Sequence, residues 1–373
     1  MHVWLPGCTR EAGLKTLLRR GAILGLVFAL IGFLAAGVGL VPVAASSGHW
    51  ALTDWFLHFT MRQSVQIRAL RIEPPPDYAQ AAQVHKGAGH YATSCAVCHG
   101  APGSAAWGSM RHMTPPPPNL SPRIGAWEAE ELFWIVRHGI KFTGMPAWPS
   151  ARRDDEVWAM VGFLQQLPAL SPEAYMALTT APDAESPAAR AIDEPLRGII
   201  ATCAICHRFD GSGGGGGAFP RLTGQTREYL TGSLDAFAEG RRHSGIMQAV
   251  AAGMDADQRR AVGAYYANLP VASTPRQSPS PQTERGRRIA SRGLPEKGVP
   301  SCAHCHGPMD RRRNPFYPQL AGQFPDYLVL QLRLFKERRR GGTVYTDIMH
   351  EVVRRMTEEQ MRDVAAYYAF LRP

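Results

Sequence analysis

Residues 203–207 read CAICH, and the same C-x-x-C-H frame stands at 95–99 as CAVCH and at 302–306 as CAHCH. Six of the seven cysteines fall in these frames, and only Cys8 stands outside them. An even set of cysteines would ordinarily point to disulfides in an exported chain. Here a histidine follows each pair at once, which is the spacing of c-type haem attachment. The two thiols add across the vinyl groups of a haem, and the adjacent imidazole is placed to reach the iron from the same side. A zinc ribbon also uses C-x-x-C pairs. It is opposed by the histidine in every copy and by the similar train of residues behind each. His99, His207 and His306 are therefore expected as proximal iron ligands. Cys95, Cys98, Cys203, Cys206, Cys302 and Cys305 are expected to carry three covalently bound haem c groups. His304 occupies a spacer position filled by Val97 and Ile205 in the other copies, and is expected on the surface.

Working outward, the last two motifs head a repeat. Pro220-Arg-Leu222-Thr-Gly224-Gln225 with Tyr229-Leu230 is matched by Pro318-Gln-Leu320-Ala-Gly322-Gln323 with Tyr327-Leu328. Farther on, SGIMQAVAAGMDADQRRAVGAYYANL corresponds without a gap to TDIMHEVVRRMTEEQMRDVAAYYAFL. The first segment is more distant but keeps the order: C-x-x-C-H, Pro118-Asn-Leu120, Met145, then EVWAMVGFLQQL. The closing segments carry apolar residues at helical spacing, as at Val262, Tyr265, Tyr266 and Leu269. Asp255 with Gln258 and Thr357 with Gln360 read as capping boxes, and Asp154 as the cap in the first segment. Nothing reads as a strand, so the fold class is all-α. The expected organisation is residues 78–170, 195–270 and 284–373 as haem domains, with linkers at 171–194 and 271–283.

A proximal imidazole needs its other nitrogen held by an acceptor, and the carbonyls of Pro118, Pro220 and Pro318, each in P-x-L, are candidates. For the sixth ligand, Met247 and Met349 align, each eight residues before a helix cap, while Met145 lies nine before Asp154. Met254 and Met356 align just before the cap, where a hydrophobic staple belongs, and the first segment has Arg153 there. His350 aligns with Gln248 and Pro146. A ligand common to all three sites is therefore Met145, Met247 and Met349, with Met110 and Met113 as alternatives in the first. Thioether ligation favours ferrous iron and suits electron transfer.

Residues 21–45 carry no charge, and Arg10, Lys15, Arg19 and Arg20 precede them against Glu11 alone. Such a run spans a bilayer, and the positive-inside rule leaves residues 1–20, with Cys8 as a free thiol, in the cytoplasm. A cleaved signal is the rival reading, because Val43-Ala44-Ala45 resembles a cleavage site. The run exceeds the usual h-region of about 7–15 residues, so a retained anchor is expected. Residues 46–77 hold Trp50, Trp55, Phe56 and Phe59 among arginines. They read either as a helix at the membrane interface or as one packed on the first domain, with Pro74 to Pro76 beginning a stiff spacer. The net charge is +10, and from Glu284 onward 17 Lys+Arg stand against 10 Asp+Glu. In an exported chain this excess, with arginines at 311–313 and 338–340, points to an acidic protein partner and away from nucleic acid.

From about Pro195 the chain resembles the tandem di-haem class I cytochromes of the cytochrome c4 family, through C-x-x-C-H, P-x-L-x-G-Q-x-x-x-Y-L and a Met before a helix containing A-Y-Y. Residues 78–170 resemble a single class I cytochrome c, through CAVCHG, GMPAW and the closing helix. The resemblance implies His/Met-ligated haems and electron transfer in the periplasm of a bacterium, on the inner membrane. Donor and acceptor would be a quinol-oxidising complex or dehydrogenase and a terminal oxidase. No catalytic residue is expected. The alternatives are a cytochrome subunit of a periplasmic dehydrogenase or oxidase complex, and a haem enzyme with an open iron position. Two departures are Arg208, where the other copies have Gly100 and Gly307, and the five glycines at 213–217. Flexible Pro-rich linkers would let the first haem and the distal pair reach different partners.

Overall fold

A computed structural model describes residues 9–271, 278–308 and 314–372. Cys8 and the arginines at 311–313 lie outside the described residues. The chain opens on α1 (Thr9–Gly37), of which Gly13–Gly37, 25 residues with a mean hydropathy of 2.0, is long and apolar enough to cross a membrane. This corrects the expected span of 21–45: the helix stops at Gly37, before Gly39 at φ 76° and Pro42, neither of which continues a helix. Helix α2 (Ala51–Ala69) packs on the first unit through its C-terminal half. Its outer half leaves Trp50, Trp55 and Phe56 exposed. Its inner half buries Val65 and Ala69, and Arg62 donates to the Ala126 carbonyl at 3.0 Å while lying 4.9 Å over Trp127.

The first haem-motif unit runs α3 (Ala81–His90), a π-turn at Tyr91–Cys95, α4 (Ala96–His99), α5 (Ala129–His138) and α6 (Asp154–Gln166). Helices α3 and α6 cross at Gly87, where a Cβ would stand 2.2 Å from the Ala159 carbonyl oxygen. Around this crossing Val84, Ala88, Val157, Val161 and Phe163 form a core. The cap of α6 is Arg153, not Asp154 as expected; the Asp154 carboxylate is instead turned to Arg137 at 2.7 Å and Arg339 at 2.9 Å.

Residues 171–194, expected as a linker, contain α7 (Pro172–Thr179) and α8 (Pro187–Arg190). Tyr175 joins the first core, and Ala181, Ala189 and Ile192 the second. The second unit is α9 (Leu196–His207), α10 (Arg227–Ala238), α11 (Met247–Ala252) and α12 (Ala256–Asn268). The third is α13 (Pro281–Arg292), α14 (Ala303–His306), α15 (Pro325–Lys336), α16 (Thr346–Val353) and α17 (Glu358–Phe370). Both expected capping boxes form, on Asp255 and Thr357. Among the described residues there is no strand, only isolated bridges.

The units are tied to one another. Gln225 donates to the Gln319 carbonyl at 2.8 Å and accepts from its N–H at 3.0 Å; Gln323 does the same with Arg221, both bonds at 3.0 Å. Residues 221 and 225 are the repeat counterparts of 319 and 323, so the contact is isologous. Between first and second units, the buried Glu156 carboxylate accepts from Ser244 Oγ at 2.7 Å and the Gly245 N–H at 2.6 Å. Arg153 pairs with Glu156 and donates to the His243 carbonyl, both at 2.9 Å. The expectation that flexible linkers set the first haem apart from the distal pair is corrected accordingly. Two of the three arginines at 338–340, expected to meet an acidic partner, are engaged within the chain. Arg339 pairs with Asp154, the Arg338 carbonyl accepts from Arg152 at 3.2 Å, and Arg340 sits over Phe335 with its guanidinium carbon 4.3 Å from the ring centre.

Candidate haem-attachment sites

Each C-x-x-C-H motif closes a helix, α4, α9 or α14, so that its histidine stands one turn beyond the first cysteine. Each histidine donates from Nδ1 to a proline carbonyl: His99 to Pro118 at 2.8 Å, His207 to Pro220 at 3.1 Å, His306 to Pro318 at 2.9 Å. A carbonyl can only accept, so Nδ1 carries the proton and Nε2 the lone pair, the tautomer a metal-ligating imidazole requires. Burial holds His99 and His207 below the ordinary histidine value, so both are in the neutral form that can ligate.

The residue after each motif has positive φ, 71° at Gly100, 62° at Arg208 and 73° at Gly307, and each of their carbonyls accepts a buried or half-buried tyrosine hydroxyl. The donors are Tyr91 at 2.6 Å, Tyr266 at 3.2 Å and Tyr368 at 2.8 Å. Sequence reasoning passed over this role. In the repeats the tyrosine belongs to the A-Y-Y helix, whereas Tyr91 comes from the π-turn before the first motif. Only the shared carbonyl partner, not a shared position, links them.

Met247 begins α11 and Met349 lies within α16, both half-buried, while Met145 is on the loop before α6. With Arg153 as the cap of α6, Met145 stands eight residues before its cap, the same offset as Met247 and Met349. Met254 and Met356 are buried in the second and third cores. In the first unit Met110 Sδ lies 3.8 Å from Cys98 Sγ, and the Met113 methyl packs where a Gly144 side chain would be. His350 is turned away from any site: Nε2 meets the Arg340 carbonyl at 3.0 Å and Nδ1 the Asp347 carboxylate at 3.3 Å. His304 is exposed.

One cavity of about 370 Å³ joins the second and third units, lined by Cys203, Cys206, His207 and Met247 on one side and Cys302, Cys305, His306 and Met349 on the other. Its apolar wall includes Leu230, Phe237, Val262, Leu328, Phe335 and Val353. Two repeat-related arginines border it. Arg242 donates to Ser233 Oγ at 3.0 Å and Tyr327 Oη at 3.2 Å, and Arg340 has a buried Nε without a partner. Neither pairs with a carboxylate among the described residues. Burial, then the charge of Arg242, pulls the Arg340 guanidinium down to about 10. Against its burial, Arg242 and Arg340 bring the Tyr229 phenol down to about 8. An apolar cleft with cysteine, imidazole and thioether on its walls and two cations lacking a counter-charge fits haem, whose macrocycle is apolar and whose propionates are anionic.

An all-helical fold with three C-x-x-C-H motifs, each with its histidine held by a proline carbonyl, defines an electron-transfer protein of the c-type cytochromes. The sequence profile described as cytochrome c matches residues 198–270 and 284–369, and that described as "Cytochrome C oxidase, cbb3-type, subunit III" matches 82–164. The "Thiosulfate dehydrogenase electron acceptor" of Thiomonas intermedia is 35% identical over 170 residues, covering 45% of this chain and 78% of that protein. Cytochrome c4 of Thiocapsa roseopersicina is 27% identical over 189 residues, covering 50% of this chain and 96% of its own length. Among solved structures, thiosulfate dehydrogenase (TsdBA) from Marichromatium purpuratum is 35% identical over 46% of this chain and 36% of that one, with a TM-score of 0.41. The chain belongs to the cytochrome c family, with two tandem domains similar to those of cytochrome c4 and one further c-type domain before them. Such domains bind haem c covalently.

Proposed function

We propose that this protein is a membrane-anchored tri-haem cytochrome that passes electrons one at a time between a dehydrogenase or quinol-oxidising complex and a terminal oxidase. Its haem domains would span 78–170, 195–270 and 284–373. Cys95 and Cys98, Cys203 and Cys206, and Cys302 and Cys305 hold one haem each. His99 with Met145, His207 with Met247, and His306 with Met349 are its iron ligands. Haem, when bound, supplies the one-electron couple. The proline carbonyls hold the imidazoles in one tautomer, the apolar walls exclude water, and Arg242 and Arg340 supply cations to the cavity between the last two sites. The observation that carries this reading is the common His Nδ1 to proline carbonyl hydrogen bond at all three motifs.

The helix at 13–37 anchors the chain in the bacterial inner membrane, with the haem domains in the periplasm. A dehydrogenase as donor is supported by the acceptor relative, and an oxidase as acceptor by the oxidase-subunit profile over the first unit. The experiment is haem quantification on the membrane fraction together with the visible spectrum of ferric protein. Three haems per chain, each low-spin with the methionine-to-iron charge-transfer band, is the expected result. High-spin ferric haem that takes up added ligands would overturn the pure-carrier reading.

A further inference from the structure

The second site is walled in by the first unit on both of its functional sides. On the attachment side, Gly89 of α3 lies so close that a Cβ there would stand 2.8 Å from Phe219 Cζ and 3.1 Å from Cys206 Sγ. Phe219 is itself edge-on to His207, with ring centres 6.3 Å apart, and to His85 of α3 at 6.0 Å. On the methionine side, Trp148 packs onto Gly245, two residues before Met247, so that a Cβ on Gly245 would be 2.0 Å from Trp148 Nε1. His90, fully buried with no partner for Nδ1, borders the same cavity.

The glycine run is the material of this junction. A Cβ on Gly215 would stand 2.7 Å from His85 Cγ of the first unit, and one on Gly213 2.8 Å from Phe324 of the third. Both have positive φ, 61° and 82°. Only glycine meets both demands, close approach and left-handed backbone, so the run lets three units converge on one strip of chain.

Exposed apolar side chains tell the same story from outside. Val97, Trp107 and Phe142 are exposed in the first unit, and Phe316, Val344 and Ile348 in the third. Between residues 195 and 270 no large hydrophobic side chain is exposed among the described residues.

We propose that the first unit caps the second haem site, so that this site exchanges electrons only with its two neighbours in the chain while external one-electron redox proteins meet the first and third. The proposal rests on the haem assignments above. In each internal step one electron leaves a ferrous iron and reduces the ferric iron of the next site, with no atom or proton moved.

The test uses the full-length holoprotein. Oxidised protein is mixed with excess reduced soluble cytochrome c at several concentrations. About a third of the absorbance change is expected in a phase independent of concentration, because the second site fills from inside. Three phases all proportional to concentration would overturn the proposal. Gly89→Leu pries the contact apart, and His85→Ala loosens it without adding bulk. Hydrogen exchange of peptides covering 208–220 should then rise by roughly tenfold or more in Gly89→Leu and by less in His85→Ala. Unchanged exchange in both would refute the capping. A wild type with fewer than three low-spin haems would refute the haem assignment alone, and the exchange result would still decide whether the first unit covers 208–220.

Discussion

Replacing Glu156 by alanine should separate the first unit from the second. The carboxylate is 2% exposed and accepts from Ser244 Oγ, the Gly245 N–H and Trp148 Nε1 at 2.7, 2.6 and 3.3 Å, besides pairing with Arg153 at 2.9 Å. Each buried donor left without an acceptor costs about 1–3 kcal/mol, and breaking a buried ion pair about 3–5 kcal/mol. These losses overlap. Arg153 keeps its bidentate pair with Asp155, and the Ser244 hydroxyl can turn elsewhere, so about 3 kcal/mol is expected for the whole. With a urea slope of about 1–3 kcal/mol per molar, the midpoint should fall by roughly 1–3 M. The assay is urea unfolding of the holoprotein, followed by tryptophan fluorescence. Glu185→Ala is the control: its side chain is 82% exposed and its pair with Arg190 is worth less than about 1 kcal/mol. Glu156→Gln should fall between the two, since the amide nitrogen would face one of the donors. A Glu156→Ala midpoint indistinguishable from the control would refute the argument that this carboxylate holds the two units together.

Met349→Ala should remove the methionine-to-iron band of one haem in three. Met356→Ala, 2% exposed in the third core, should keep the band and cost about 2–5 kcal/mol in unfolding experiments. Gln225→Ala and Gln323→Ala each delete two buried or half-buried interdomain bonds; each should destabilise the contact of the last two units by about 1–3 kcal/mol, read as faster exchange of the Arg221 and Gln319 amides. Acid should weaken the fold. Burial, then the charges of Lys86 and Arg153, holds His90 well below its ordinary value, so below a pH of about 6.5 the unfolded chain takes a proton that the folded one refuses. Stability should therefore fall from pH 7 to 5, with a shallower fall in His90→Gln. Against its burial, Arg153 and Lys86 hold the Asp155 carboxyl far below the carboxylate range. Its contribution is present above the unfolded value near 4 and is lost only at still lower pH.

What could be read from the sequence was whatever depends on local chemistry. The capping boxes at Asp255 and Thr357 formed because cap and N3 side chain are neighbours by covalent geometry. The proline carbonyls were legible because P-x-L follows each motif, 19 residues after the histidine in the first unit and 13 and 12 in the repeats. The cap of α6 was missed because Asp154 is a good capping residue by type, yet its carboxylate is drawn off by Arg137 and Arg339. Arg339 lies 185 positions away in the chain. The apolar helix lies nearer the N-terminus than the expected 21–45, at the same length of 25 residues, because hydropathy does not register that Gly39 and Pro42 end a helix. Residues 171–194 read as a linker because they are rich in Pro, Ala and Ser, although Tyr175, Ala189 and Ile192 find cores built by other segments. The pairing of Arg339 was missed for the same reason: its partner Asp154 comes from another unit.

The reciprocal glutamine contact has a bearing on how such a chain could arise. Because Gln225 and Gln323 make the same two bonds to equivalent backbone, one unit carries both halves of the lock and could pair with a copy of itself. Tandem duplication of a self-pairing monomer would then inherit a finished joint, with the intervening segment needing only to reach. The joint to the first unit has no such symmetry. Glu156 and Gly89 stand on one side of it and Gly245 and the glycine run on the other, so this joint fits unlike surfaces.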